Sequence, residues 1–218
     1  MSSDMNTIIS QTQTGRRRQQ KRAAETREAL LHVATEAFAT HTYDGVSIRA
    51  LEVDAGVQRG AAAYHFTDKE GLWKAAVDRI LAVLQSRVEP LAPVLNDLDE
   101  DGRLRAVITA FVRFSAEAPE LNRLIIQEGR TDSWRLDYLI TTFHRNRLEW
   151  LKDFVGVVQD PHYFYMTVGA ATMVFNAEHE CRKLFGVNPM TDDFIREHAA
   201  RVADMAVYLR NQEQTETS

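Results

Sequence analysis

The chain has 218 residues, 44% of them hydrophobic and 26% charged, and a net charge of −5. That length can bury a real core, and the composition is that of a globular protein rather than a disordered or fibrous one. No run of eighteen apolar residues and no apolar N-terminal h-region is present, so a membrane span and a secretory signal are not expected and the cytoplasm is the expected compartment. The single cysteine, Cys181, cannot form an internal disulfide, which suits a reducing environment. The charge is uneven. Residues 1–75 hold ten Lys or Arg against nine Asp or Glu, a balance of +1, whereas the remainder holds sixteen against twenty-two, a balance of −6. Within the first part Arg16, Arg17, Arg18, Lys21 and Arg22 form a compact basic run, a local cation patch that the whole-chain balance conceals.

In chain order, residues 1–22 are polar, rich in Gln, Thr and Ser and without periodicity, and are expected to form a flexible basic arm. Leu30, Ala34 and Phe38 then recur four apart and predict a helix from about Thr26 to Thr40, followed by a turn over residues 41–45. Ile48, Leu51 and Ala55 recur at helical spacing behind Ser47, whose hydroxyl can cap the first turn. Gly56 ends that helix, because glycine tolerates the positive φ that a helix terminus needs. A short helix from about Gln58 to Phe66 follows, with Val57, Ala62 and Phe66 inward and Gln58, Arg59 and Tyr64 outward. Thr67 with Glu70 three residues on reads as a capping box opening a long helix whose apolar positions run to Leu84 and end before Pro90.

Beyond the prolines the periodicity stays helical. Val107, Phe111 and Phe114 mark one helix ending near Pro119, and Leu121, Leu124 and Ile125 a short one ending near Gly129. Asp132 or Ser133 can cap a helix reaching about Val158, Asp160-Pro161 is an N-cap followed by proline at the first helical position, and Thr191 to Asp193 opens the last helix. No strand-like alternation occurs, so the expected fold is all-α. A three-helix helix-turn-helix domain over 23–67 precedes a helical bundle over 68–211, with a frayed tail at 212–218.

The stretch GVQRGAAAYHFTDKEGLW, with its glycine turn, the Arg-Gly pair at 59 and 60, the Tyr-His-Phe triplet at 64–66 and the Lys-Glu at 69–70, resembles the DNA-binding domain of the TetR/AcrR family of transcriptional regulators. The likeness covers about residues 26–80; beyond that only helix number and length agree. It implies a homodimer, an all-helical effector domain and operator binding, with Gln58, Arg59, Gly60, Tyr64, His65 and Lys69 at the DNA-contacting positions. Ala63 departs from the pattern, since many members carry an aromatic there, and a phosphate contact made by relatives is expected to be missing. The chemistry of these positions agrees with that role. In a recognition helix the N-terminal residues reach the major-groove floor, where Arg pairs bidentately with guanine and Gln with adenine. Gly60 allows close backbone approach, Ala61 can do no more than touch a thymine methyl, and Tyr64, His65 and Lys69 suit phosphates. Ser47 and the arm residues Arg16, Arg17 and Arg18 complete the expected DNA-binding set. The alternative for the arm is a solubilising tail, and for His65 simple packing beside Phe66.

Other chemistries lack their residues. No two glycines lie two apart, so the dinucleotide fingerprint is absent, as is a phosphate loop; no His follows a Glu by three, and no H-E-x-x-H exists. Around Glu178, His179, Glu180 and Cys181, only Glu178 and Cys181 share a helix face, which argues against a metal site. No metal, cofactor or catalytic residue is therefore expected, and the chain is not read as an enzyme.

In the C-terminal half, aromatic residues are dense and serve either core or ligand pocket. Phe111, Phe114, Glu128, Trp134, Phe143, Met166, Phe175 and Asn176 form the expected effector pocket. Ile195, His198, Val202, Met205 and Leu209 follow a three-four spacing on the last helix, and Gly169 and Ala170 let another helix approach closely; together they predict a dimer seam, the alternative being an intrachain core face. The whole reads as a dimeric, ligand-responsive regulator that binds a palindromic operator in double-stranded DNA, with repression as the expected mode. Its rivals are a helical small-molecule-binding or enzymatic protein without DNA-reading function, and a helical adaptor.

Overall fold

The computed structural model describes residues 2–142 and 160–216, and among these every regular element is helical. In chain order they are α1 (Ser2–Thr40), α2 (Ile48–Asp54), α3 (Ala61–Phe66), α4 (Lys69–Val88), a 3-10 turn (Glu89–Leu91), α5 (Ala92–Leu95), α6 (Glu100–Glu117), α7 (Glu120–Glu128), α8 (residues 134–142 as described), α9 (Pro161–Asn176), α10 (Glu178–Phe185) and α11 (Asp192–Glu216). The chain forms two compact units, Met1–Ala76 and Val77–Ser218. The division falls two turns into α4, where Leu72, Trp73 and Ala76 are fully buried.

In the N-terminal unit α1 packs on α2 and α3. Leu30, Leu31, Ala34 and Phe38 of α1 are buried, as are Leu51 of α2 and Ala62 and Phe66 of α3. The segment expected as an irregular arm is helical: α1 starts at Ser2 and runs on without a break. No proline interrupts it, and each residue added to a nucleated helix gains a hydrogen bond. At 1.5 Å per residue its length is ~58 Å. The expected frayed tail is likewise helical up to Glu216.

The corner between α3 and α4 differs from a capping box. Thr67 has φ 69° and ψ −58°, and the Asp68 N–H donates to the Phe66 carbonyl at 2.8 Å, which together make a classic γ-turn, a strained conformation for a β-branched residue. Asp68 is the cap instead, its Oδ1 accepting the Gly71 N–H at 2.7 Å. Glycine is required at 71, since a Cβ there would stand 2.2 Å from the Phe66 carbonyl oxygen.

The C-terminal unit is built around α6, α9 and α11. Its core holds Leu104, Val107 and Val112 of α6, Tyr163, Ala171 and Phe175 of α9, and Val202, Ala203 and Ala206 of α11. Two helix starts follow the sequence signals, Ser133 Oγ accepting the Leu136 N–H at 3.3 Å and Asp160 the N–H groups of His162 and Tyr163 at 3.0 Å each; α6 is capped by Asp99, whose Oδ1 accepts the Gly102 N–H at 2.7 Å. The expected continuation of α8 to Val158 lies outside the described residues. One break was not foreseen: Ala177, at φ −103° and ψ 32°, separates α9 from α10.

Candidate nucleic-acid interface

The turn between α2 and α3 is closed by backbone bonds. Gly56 takes φ 64°, its N–H donates to the Val53 carbonyl at 3.0 Å and the Val57 N–H donates to the Glu52 carbonyl at 3.0 Å, the two bonds of a Schellman motif. Gln58 and Arg59 then precede the second helix instead of opening it. Gly60, at φ 89°, is not helical; the Ala61 N–H donates to the Gln58 carbonyl at 3.1 Å in a tight turn, and the helix begins at Ala61. The result is a projecting tip, with Gln58, Arg59 and Gly60 all exposed. Tyr64, one turn on, is 81% exposed, while Ala62 and Phe66 on the opposite face are buried.

The other expected contacts are distributed around this tip. His65 is half-buried and edge-on to Tyr64 at 4.9 Å between ring centroids, and it also lies tilted against Phe66 at 6.1 Å, so packing takes up part of its surface. Lys69 stands 4.7 Å from the centre of the Tyr43 ring, a cation–π contact that fixes the ammonium group, and Tyr43 in turn stacks on Phe38 at 5.9 Å. Arg27 lies over the Phe66 ring at 5.2 Å. Ser47 precedes α2 with φ −102° and ψ 123° but makes no capping bond with its side chain, so the hydroxyl expected to be spent on the helix stays on the exposed surface. Ala61 is half-buried and Ala63 exposed. Arg16, Arg17, Arg18, Lys21 and Arg22 are exposed along α1, with Lys21 3.8 Å from Glu25.

Sequence reasoning missed Glu52. It is 5% exposed, and its Oε1 accepts the Gly60 N–H at 2.9 Å and the Ala62 N–H at 3.0 Å. The signal was present: Glu52 follows Leu51 and lies four residues after Ile48, on the inward stripe of α2, and an acid there must find donors.

In the C-terminal unit the expected pocket residues differ in burial. Phe114 and Phe175 are 1% exposed, Phe111 packs against the core, and Trp134 is half-buried. Glu128 is 2% exposed and accepts from Arg135 Nε at 2.7 Å. The amide nitrogen and oxygen of Asn176 are buried without a hydrogen-bond partner among the described residues, as are Asn122 Nδ2 and Thr167 Oγ1. Met166 departs from the expectation: it is 53% exposed, because the inward face of α9 is the one carrying Tyr163, Thr167, Ala171 and Phe175. Phe143 lies outside the described residues. Tyr138 donates to Asp78 Oδ1 at 2.7 Å, and burial, followed by the adjacent carboxylate, pushes its hydroxyl up to about 12.

The residues expected at the dimer seam lie on α9 and α11 and differ in burial. Val202 is 4% exposed in the core, and Ala170, Ile195, Met205 and Leu209 pack partly against it. His198 Nε2 lies 2.9 Å from the Ala170 carbonyl, between the rings of Phe175 and Phe194, and burial lowers its pKa below the usual 6.5. Part of the three-four spacing on α11 serves the face that meets α6 and α9 of the same chain. Gly169 alone of the set is exposed, on the outward face of α9 with Tyr165, Met166 and Met173.

Among the described residues no three His, Cys, Asp or Glu side chains come together as metal ligands, and Glu178 instead pairs with Arg182 at 2.7 Å. Nor is any described helix long and apolar enough to cross a membrane.

An exposed tip, held between two short helices and backed by a packed α1, defines a helix-turn-helix DNA-binding domain joined to a helical bundle. Residues 30–76 match the model of the bacterial regulatory proteins of the tetR family. The HTH-type transcriptional repressor AcnR of Corynebacterium diphtheriae is 38% identical over 68 residues, 31% of either chain. The HTH-type transcriptional repressor BepR of Brucella suis is 36% identical over 63 residues, 29% of this chain and 30% of its own. The chain thus matches only about a third of the length of these curated relatives. A solved HlyIIR mutant protein superimposes with a TM-score of 0.58 at 25% identity, over 82% of this chain and 97% of that one. Over residues 30–76, then, the chain is similar to the regulatory proteins of the tetR family.

Proposed function

We propose that the protein is a non-enzymatic, ligand-responsive transcriptional regulator that binds a palindromic operator as a dimer in the cytoplasm, with repression as its mode. The observation that carries this reading is the tip itself: Gln58 and Arg59 are exposed ahead of a short helix whose opposite face is buried. Arg59 and Gln58 supply base readout, while Tyr64, Lys69 and Ser47 supply phosphate contacts that set register. The exposed cations of α1 add salt-dependent affinity.

Two recognition tips read one palindrome when they stand about 34 Å apart, one turn of duplex. The second copy docks on the outward face of α9, around Tyr165, Met166, Gly169 and Met173, which the intrachain core leaves free. An effector bound in the C-terminal unit acts by favouring a different spacing of the tips, for which a coupling of about 1–3 kcal/mol suffices. The buried, unpartnered groups of Asn122, Thr167 and Asn176 support a polar ligand.

Selection from random-sequence DNA, followed by gel-shift titration against salt, tests the reading. A palindromic duplex should be enriched and should bind with a steep salt slope, and Arg59→Ala should relax base preference. Failure of the unaltered chain to enrich any sequence would refute it.

A further inference from the structure

Glu52 ties together the whole stretch from the turn to the start of α3. Its backbone carbonyl accepts the Val57 N–H at 3.0 Å, and its buried carboxylate accepts the N–H groups of Gly60 and Ala62 at 2.9 and 3.0 Å. One residue of α2 therefore holds both ends of the segment that displays Gln58 and Arg59. Packing does not hold that segment from outside. Gln58, Arg59 and Gly60 are exposed, and, its chain neighbours apart, no atom of the described residues lies within 4 Å of where a Gly60 Cβ would stand.

We propose that Glu52 is the positioning residue of the base-reading tip, setting sequence discrimination without touching DNA; this rests on the DNA-reading function proposed above. An acid held out of water is tolerated only where its oxygens find donors, and first-turn N–H groups, which lack intrahelical partners, are such donors. Charge-assisted bonds of this kind are roughly twice as strong as neutral ones. They flank Gly60, whose φ of 89° would otherwise be a free hinge between the readers and the helix. Bidentate pairing with a base edge demands a closely held side-chain origin, whereas phosphate contacts tolerate displacement. Loss of the carboxylate should therefore lower discrimination far more than general affinity. Because the same oxygen occupies two backbone donors, the tip presents side chains to the duplex.

The test compares Glu52→Ala and Glu52→Gln with the parent, using the duplex that the parent selects from random DNA and a scrambled duplex of equal length. Glu52→Ala should reduce the ratio of the two affinities by about tenfold or more, the order expected from a misplaced base contact, while affinity for the scrambled duplex stays within about twofold. Glu52→Gln, which keeps an acceptor oxygen but no charge, should fall between. In the free protein, amide exchange at Gly60 and Ala62 should accelerate while the α1 amides stay as in the parent. An unchanged affinity ratio in both variants, or Gly60 and Ala62 amides as protected as before, would overturn the proposal. Should Glu52→Ala unfold, Glu52→Gln decides on the same two readouts. A parent that enriches no sequence ends the DNA-reading function and this role with it, while the amide rates still report whether the carboxylate holds the tip.

Discussion

The two compact units differ in how far their buried polar groups are partnered. In the N-terminal unit Glu52 is buried with both of its N–H partners in place, and the buried Thr35 hydroxyl donates to the Leu31 carbonyl at 2.6 Å. In the C-terminal unit Asn122, Thr167 and Asn176 carry buried polar atoms without a partner among the described residues. A satisfied network rigidifies, and a reader of base edges needs a rigid origin. An unsatisfied one costs free energy until something supplies the missing bonds, which is the condition of a site awaiting a polar ligand.

The largest expected effects come from breaking each unit at its tightest point. Gly71→Ala drives a Cβ into the Phe66 carbonyl and should destabilise the N-terminal unit by about 3 kcal/mol, read as a lowered denaturant midpoint. Arg135→Ala leaves the Glu128 carboxylate, 3% exposed, without its cation and should cost the C-terminal unit about 3 kcal/mol by the same measurement. A smaller, stabilising change is expected at the corner after α3. Thr67→Gly removes the penalty of a β-branched residue at positive φ and should raise stability by about 1 kcal/mol.

Thr167→Val sharpens the contrast between the units. Replacing an unpartnered buried hydroxyl by a methyl should leave the ligand-free protein as stable or up to about 1 kcal/mol more so, while weakening the response of operator binding to effector. A stability loss above that figure would mean that the hydroxyl is already satisfied.

The mildest effect is in pH. Burial lowers the His198 pKa below 6.5, so the folded state prefers the neutral ring. Its contribution is present above the unfolded value and is lost as pH falls through the lower folded value, because the unfolded chain binds the proton first. The thermal midpoint should drop as pH is lowered through the ordinary histidine value of 6.5, and His198→Gln, which can still donate to Ala170, should flatten that part of the slope.

Much of the N-terminal unit was legible because its determinants are local. Gly56, the inward stripe of α2 and the Tyr-His-Phe triplet each act within a few residues, so spacing reveals them. The cap of α4 was misread at Thr67 because Asp68 and Thr67 are both good capping residues; the γ-turn, a matter of backbone direction, selected Asp68. The seam on α11 shows the limit more sharply. Periodicity marks Val202 and its neighbours as a buried face but carries no mark of which chain buries it.

From residue order alone came the all-helical class, most of the helix starts and the exposure of Arg59, since capping and amphipathic spacing are short-range effects of backbone hydrogen bonding and burial. Tertiary structure decided three things: that Glu52 reaches across ten residues to hold Ala62, that α11 meets α6 and α9 of its own chain, and that Met166 faces away from the core. Each depends on what lies opposite a side chain once the helices pack, and pattern along one strand of sequence contains no term for that.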